Sequence, residues 1–155
     1  MTARKIIGRL LLAFVLVSVG YAIGRETAKV PAAPLPADPA RAAGGSKVVV
    51  YYLHSTFRCE TCNRIESTTD ELIRTEFADA VKAGRLEWKP VDYLQNGELA
   101  ERYNVGGNLI VVARFKDGRE VGARRLDRVM ELANNRDAFI EYVRQAIEES
   151  LKEAA

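Results

Sequence analysis

The stretch that most limits how this chain can fold is residues 47–66, KVVVYYLHSTFRCETCNRIE. Val48 to Leu53 is an unbroken apolar run, rich in β-branched and aromatic residues, the kind that fits a pleated strand. A short polar loop follows. Next come Cys59 and Cys62, the only two cysteines in the chain, in a C-x-x-C spacing. Beyond them Ile65, Leu72, Ile73, Phe77, Ala80 and Val81 recur at a helical period with one buried face. The pattern predicts a helix from about Cys59 to Lys82 that stops near Gly84, a glycine placed to cap it. Two sulfurs therefore sit where a strand hands over to a helix.

That placement carries chemistry. Residues three apart on a helix are neighbours, so the two sulfurs can meet. Cys59 falls where the unpaired N–H groups of the first turn point outward. These groups and the helix dipole favour thiolate over thiol. Arg58 acts in the same direction and Glu60 against it, which leaves the sign of the sum open. In a thiol–disulfide exchange Cys59 is the expected attacking thiolate and Cys62 the resolving thiol. A structural disulfide or two core cysteines is the plainer reading, and the position after a strand and at a helix start argues against it. Two thiolates can also hold a soft ion such as Cu(I), and His54, the only histidine, lies five residues before Cys59. One pair falls short of the four ligands of a structural zinc site. His54 is otherwise expected at the strand end, tuning the site or idle.

The N-terminal third is a different kind of sequence. Arg4, Lys5 and Arg9 precede an apolar run from Leu10 to Gly24, and Arg25 follows it. Fifteen helical residues rise about 22 Å, short of the ~30 Å hydrocarbon core, unless Arg9 snorkels and Ile6 and Ile7 join the span. No A-x-A cleavage site directly follows the run. Residues 1–25 are therefore expected to be an uncleaved membrane anchor, with a signal peptide as the alternative. The basic start places the N-terminus in the cytoplasm and exports the rest. Residues 26–46 hold four of the five prolines and end in Gly44-Gly45-Ser46, a tether without a core. The charge count agrees with this division. Residues 1–46 carry six Lys/Arg and two Asp/Glu, and residues 47–155 carry 17 and 19. The basic excess belongs to the membrane segment, so no nucleic-acid surface is expected.

Residues 47–155 suffice for one modest core. Leu86 to Asp92 is a second strand, and Pro90 within it argues for a sheet edge. Strand, helix and strand in this order imply parallel pairing through a right-handed crossover. Asn96-Gly97 marks a turn before a short helix, Glu98 to Tyr103. Leu109 to Phe115 is a third strand, Lys116 to Arg119 a hairpin turn containing Asp-Gly, and Glu120 to Arg124 a fourth strand antiparallel to the third. A short helix is expected over Leu126 to Ala133. Asn134 or Asn135 then caps a last helix with Phe139, Ile140, Val143, Ile147 and Leu151 on its apolar face.

This order, β-α-β-(α)-β-β-α with cysteines after the first strand, resembles the thioredoxin superfamily. Asp92, Tyr103-Asn104-Val105 and Phe115-Lys116-Asp117-Gly118 match its landmarks. More closely, YYLHSTFRCETCNRIES, KDGRE and RLDRVMELANNRDAFIEYV resemble a family of small, membrane-tethered bacterial proteins described as nitrophenyl compound nitroreductase subunits of the ArsF type. The resemblance implies a thioredoxin-like α/β fold, a mixed four-stranded sheet flanked by helices, behind an N-terminal transmembrane helix. No flavin-binding pattern is present, so no cofactor is expected. Three departures stand out. Thioredoxins carry a cis-proline before the third strand, and this chain has Gly106-Gly107-Asn108-Leu109-Ile110 there. Their buried aspartate is replaced by Leu53, which leaves a proton acceptor for Cys62 to His54 or Glu60. Glu60 and Thr61 stand between the cysteines where proline or histidine is common, so the family's redox potential does not carry over.

The leading expectation is a thiol–disulfide oxidoreductase tethered to a bacterial inner membrane, its domain facing the periplasm or cell exterior. Its partner would be a protein dithiol or disulfide client, or a membrane redox protein. A Cu(I) chaperone using the same two thiols, and a non-catalytic subunit of a membrane redox complex, are the alternatives.

Overall fold

Val48 to Leu53 are all buried, and all but Tyr51 have no solvent exposure at all. A strand apolar on both faces has to lie inside a sheet that is covered on both sides. A computed structural model describes residues 45–154 and places this strand accordingly. The elements are β1 (Ser46–His54), α1 (Glu60–Glu76), α2 (Ala78–Lys82), β2 (Leu86–Asp92), α3 (Gly97–Arg102), β3 (Leu109–Lys116), β4 (Arg119–Leu126), α4 (Val129–Leu132) and α5 (Arg136–Ala154). The sheet order is β2-β1-β3-β4. β1 pairs parallel with β2 and antiparallel with β3, which pairs antiparallel with β4. This is the thioredoxin-like α/β fold that the element order implied. Pro90 stands on an edge strand, where its missing N–H costs no sheet hydrogen bond.

Alternate residues of β1 feed two cores. Val48, Val50 and Tyr52 pack with Ile65, Leu72 and Ile73 of α1 and with Phe139, Val143 and Ile147 of α5. Val49, Tyr51 and Leu53 pack with Leu109, Val111 and Tyr103 on the other face. Period-two alternation thus supplies both sides from one strand. The β3–β4 hairpin turns at Asp117 and Gly118, with φ of 50° and 74°. Two successive positive φ values are the demand of the tight turn that Asp-Gly satisfies.

The predicted first helix is in fact two. It breaks at Phe77, which leaves the helical region at φ −113°, ψ 14°. Just before the break the Thr75 hydroxyl donates to the carbonyls of Glu71 (2.8 Å) and Leu72 (3.3 Å), and such back-bonding bends helices. The following turn is re-aimed, so Ala80 stays buried while Val81, expected inside, is 41% exposed. Gly84 ends the segment in the left-handed region at φ 68°. The expected helix over Leu126 to Ala133 is shorter too. Leu126 belongs to β4, opposite Ile110, and only Val129–Leu132 is helical. Asn135 caps α5, accepting from the N–H of Ala138 at 3.2 Å.

The expected anchor, residues 1–25, and nearly all of the expected linker lie outside the described residues. Among the described residues no helix is long and apolar enough to cross a membrane.

Candidate active site

The site is built at the carboxyl end of β1. Its loop, Ser55 to Arg58, is tied down at three points. Tyr93 N–H donates to the His54 carbonyl at 2.9 Å, extending the grip of β2. The Thr56 hydroxyl donates to the Asp92 carboxylate at 2.5 Å. The Ser55 N–H donates to the side-chain oxygen of Asn108 at 2.9 Å. Thr56's hydroxyl, foremost, holds the Asp92 carboxyl below its ordinary range. The loop delivers Cys59 to the N-cap of α1, with extended backbone at φ −92°, ψ 165°.

Cys59 and Cys62 are joined in a disulfide, with Cα atoms 4.9 Å apart. The two sulfurs are not equivalent. Cys59 is exposed, whereas Cys62 is 3% exposed. Cys59 Sγ accepts a hydrogen bond from the Cys62 N–H at 3.0 Å, so the sulfur itself acts as the helix cap. An N–H aimed at a sulfur stabilises that sulfur most when it bears charge, as it does in a thiolate.

The flanking charges, which sequence left unsigned, are both paired. Arg58 forms an ion pair with Glu66 and its Nε donates to Asn63 at 3.3 Å. Glu60 lies 3.5 Å from Arg64. Each charge is partly neutralised by its partner. The helix terminus and the Cys62 N–H are then the polarising groups aimed directly at Cys59.

Behind the disulfide lies a polar seam inside the apolar core. Tyr52, fully buried, donates its hydroxyl to the Cys62 carbonyl at 3.0 Å. Burial pushes this hydroxyl up to about 12, with Arg58 and the Asn108 amide pulling the other way. The Tyr52 ring lies near His54 and stacks on Trp88, with centroids 5.5 and 6.5 Å away. Asn108 completes the seam, its Nδ2 donating to Cys62 Sγ at 3.1 Å.

The two proton acceptors offered by sequence bond elsewhere. His54 Nδ1 faces the Ser55 carbonyl at 2.9 Å, and the Glu60 side chain is 94% exposed beside Arg64. The side chain that reaches Cys62 is Asn108, to which sequence reasoning assigned no role. The signal for it was positional, since it occupies the segment before β3 where the cis-proline was missed. Phe57 also went unassigned. It is 85% exposed and lies two residues before Cys59 in the sequence. Among the described residues no group of three or more His, Cys, Asp or Glu side chains gathers to hold a metal ion.

No family model matches the chain, and no curated protein matches it. Solved structures do. The thioredoxin of Fasciola hepatica is 23% identical, over 67% of this chain and 81% of its own, with a TM-score of 0.42. That of Malassezia sympodialis is 19% identical over 70% and 78%, with a TM-score of 0.45. The oxidised thioredoxin of Plasmodium falciparum is 20% identical over 70% and 83%, with a TM-score of 0.42. Identities this low say nothing of activity.

Proposed function

We propose that the chain is a membrane-tethered thiol–disulfide oxidoreductase working outside the cytoplasm, with Cys59 the exchanging sulfur and Cys62 its resolving partner. One observation carries the reading: a disulfide at a helix N-terminus with one sulfur open to solvent and its mate buried behind it. Only Cys59 is open to a protein-sized client. In the reduced protein the Cys59 thiolate attacks a client disulfide. A sulfur–sulfur bond forms between Cys59 and the client, and the other client sulfur leaves as thiolate. Cys62, as thiolate, then attacks Cys59 Sγ. The intramolecular disulfide closes and the second client sulfur departs, so the client gains the two electrons that the pair loses. The reverse sequence oxidises a client dithiol.

The basic, apolar N-terminus and the Pro-rich stretch after it support the tether. They favour a single-pass inner-membrane protein, N-terminus cytoplasmic, whose domain faces the periplasm or cell exterior. The resemblance to the small tethered ArsF-type proteins points the same way. The partner is then an exported dithiol or disulfide protein, or a membrane redox protein.

The test is a trap. In bacterial cells, Cys62→Ser leaves Cys59 able to attack and nothing to resolve it. Reductant-sensitive adducts should accumulate on non-reducing gels with Cys62→Ser and be missing with Cys59→Ser. Adducts of equal abundance from both variants, or from neither, would refute the assignment. A membrane-impermeant maleimide should label Cys59 of the Cys62→Ser chain in intact spheroplasts, and protection there would remove the exported location.

A further inference from the structure

We infer that Asn108 is a rate-setting residue, whose side-chain amide stabilises the Cys62 sulfur as the disulfide opens. The inference rests on the redox reading of the cysteine pair and adds a residue to it.

The orientation of the amide follows from its partners. The Ser55 backbone N–H can only donate, so the Asn108 atom 2.9 Å from it must be the carbonyl oxygen. That leaves Nδ2, with its two N–H groups, toward Cys62 Sγ at 3.1 Å. The anchoring bond is made to main chain at the end of β1, so the amide cannot flip without leaving the Ser55 N–H unsatisfied. The amide is thus a fixed donor aimed at a buried sulfur.

Its effect differs between redox states. A disulfide sulfur is a weak acceptor, whereas a thiolate is a strong one, and a bond to an ionised acceptor is roughly twice as strong as a neutral one. When a client thiolate attacks Cys59 Sγ, the electron pair of the sulfur–sulfur bond passes to Cys62 Sγ. Charge develops where Nδ2 already points, at Cys62, which is 3% exposed. The amide therefore eases departure of Cys62 as the disulfide opens. The Cys62 N–H does the corresponding work for Cys59 Sγ. Each sulfur has its own donor, one from the helix terminus and one from across the sheet.

Two variants separate this role from a structural one. Asn108→Asp keeps an oxygen for the Ser55 N–H and turns a carboxylate oxygen, in place of the donor, on Cys62. Asn108→Leu removes donor and acceptor together. The readout is the rate at which glutathione opens the disulfide of the detergent-solubilised full chain at pH 7.5, measured by alkylation and mass shift. Folding is checked by circular dichroism in both redox states. Asn108→Leu should be reduced about tenfold more slowly. Asn108→Asp should move further in the same direction, since a like charge then faces the departing sulfur. If both folded variants stay within twofold of wild type, or Asp is reduced faster than Leu, the assignment is overturned. If one variant fails to fold, the other decides alone on the same twofold limit. The result does not depend on a client. A chain that traps no adduct in cells but shows the ordered shift keeps the Asn108 role and loses the proposed function. Adducts without the shift mean the reverse.

Discussion

Replacing Tyr52 with phenylalanine removes a single oxygen from beneath the cysteine pair and leaves the ring in its slot against Trp88. At pH 8 the loss is one buried hydrogen bond, Tyr52 hydroxyl to Cys62 carbonyl at 3.0 Å, which is about 1 kcal/mol of stability. At alkaline pH the sign changes. The folded-state value of the hydroxyl is raised from 10.0 to about 12, because a buried phenolate loses its hydration. A raised value means that the folded state holds its proton longer than the unfolded chain does. Its contribution is therefore intact below pH 10 and falls away as pH rises from 10 toward 12. At pH 11.5 the loss is on the order of 2 kcal/mol, and the phenylalanine variant escapes it. The wild type should thus be more stable than Tyr52→Phe by about 1 kcal/mol at pH 8 and less stable by about the same amount at pH 11.5. Tyr103 is also raised, by burial and by its hydrogen bond to Glu120, but both proteins share it and the comparison cancels it. The assay is urea unfolding of the oxidised full chain in detergent, followed through Trp88, the single tryptophan and a ring neighbour of residue 52. A stability gap of the same sign and size at both pH values would refute the reasoning.

Two further predictions concern the frame that holds the site. Phe139→Ala empties a 2%-exposed position where α5 seals the core and should cost about 3–5 kcal/mol in urea unfolding. A cost under about 1 kcal/mol would show that this helix does not close the core. Asp92 has a lowered value, so its contribution is present above the unfolded carboxylate range, near pH 4, and is lost as pH falls through the folded value. Asp92→Asn should flatten the fall of Tm between pH 4 and pH 2, and an unchanged acid slope would count against the Thr56–Asp92 tie.

Much of this frame was readable in the residues because the deciding forces are local. A run of Val48 to Leu53 with no polar break has to be an interior strand. Pro90 cannot sit inside a sheet, and it does not. Asp117-Gly118 can take the positive φ values that a two-residue hairpin demands. The misreadings share a different cause. Phe77 continues the apolar period of the helix before it, so periodicity runs straight through the break. The hydroxyl of Thr75, which competes with the helix ladder there, leaves no trace in a hydrophobic pattern. Leu126 likewise fits the start of a helix on pattern alone, and its pairing with Ile110 decides for the strand.

The site shows the same division more sharply. Cys59 and Cys62 announce themselves by spacing, and the helix between them is enough to bring the sulfurs together. Asn108 lies 46 positions from Cys62 and reaches it only through sheet register. β1 and β3 pair with Leu53 opposite Leu109. The residue before Leu109 therefore falls beside the chain leaving Leu53, where Ser55 and then Cys59 follow. Register is itself set by burial, because Leu53 and Leu109 belong to the same apolar face. A slip of one residue would carry the hydrophobic set of β3 to the wrong side and take Asn108 off the sulfur with it. The packing that stabilises the sheet thus also aims the amide at Cys62.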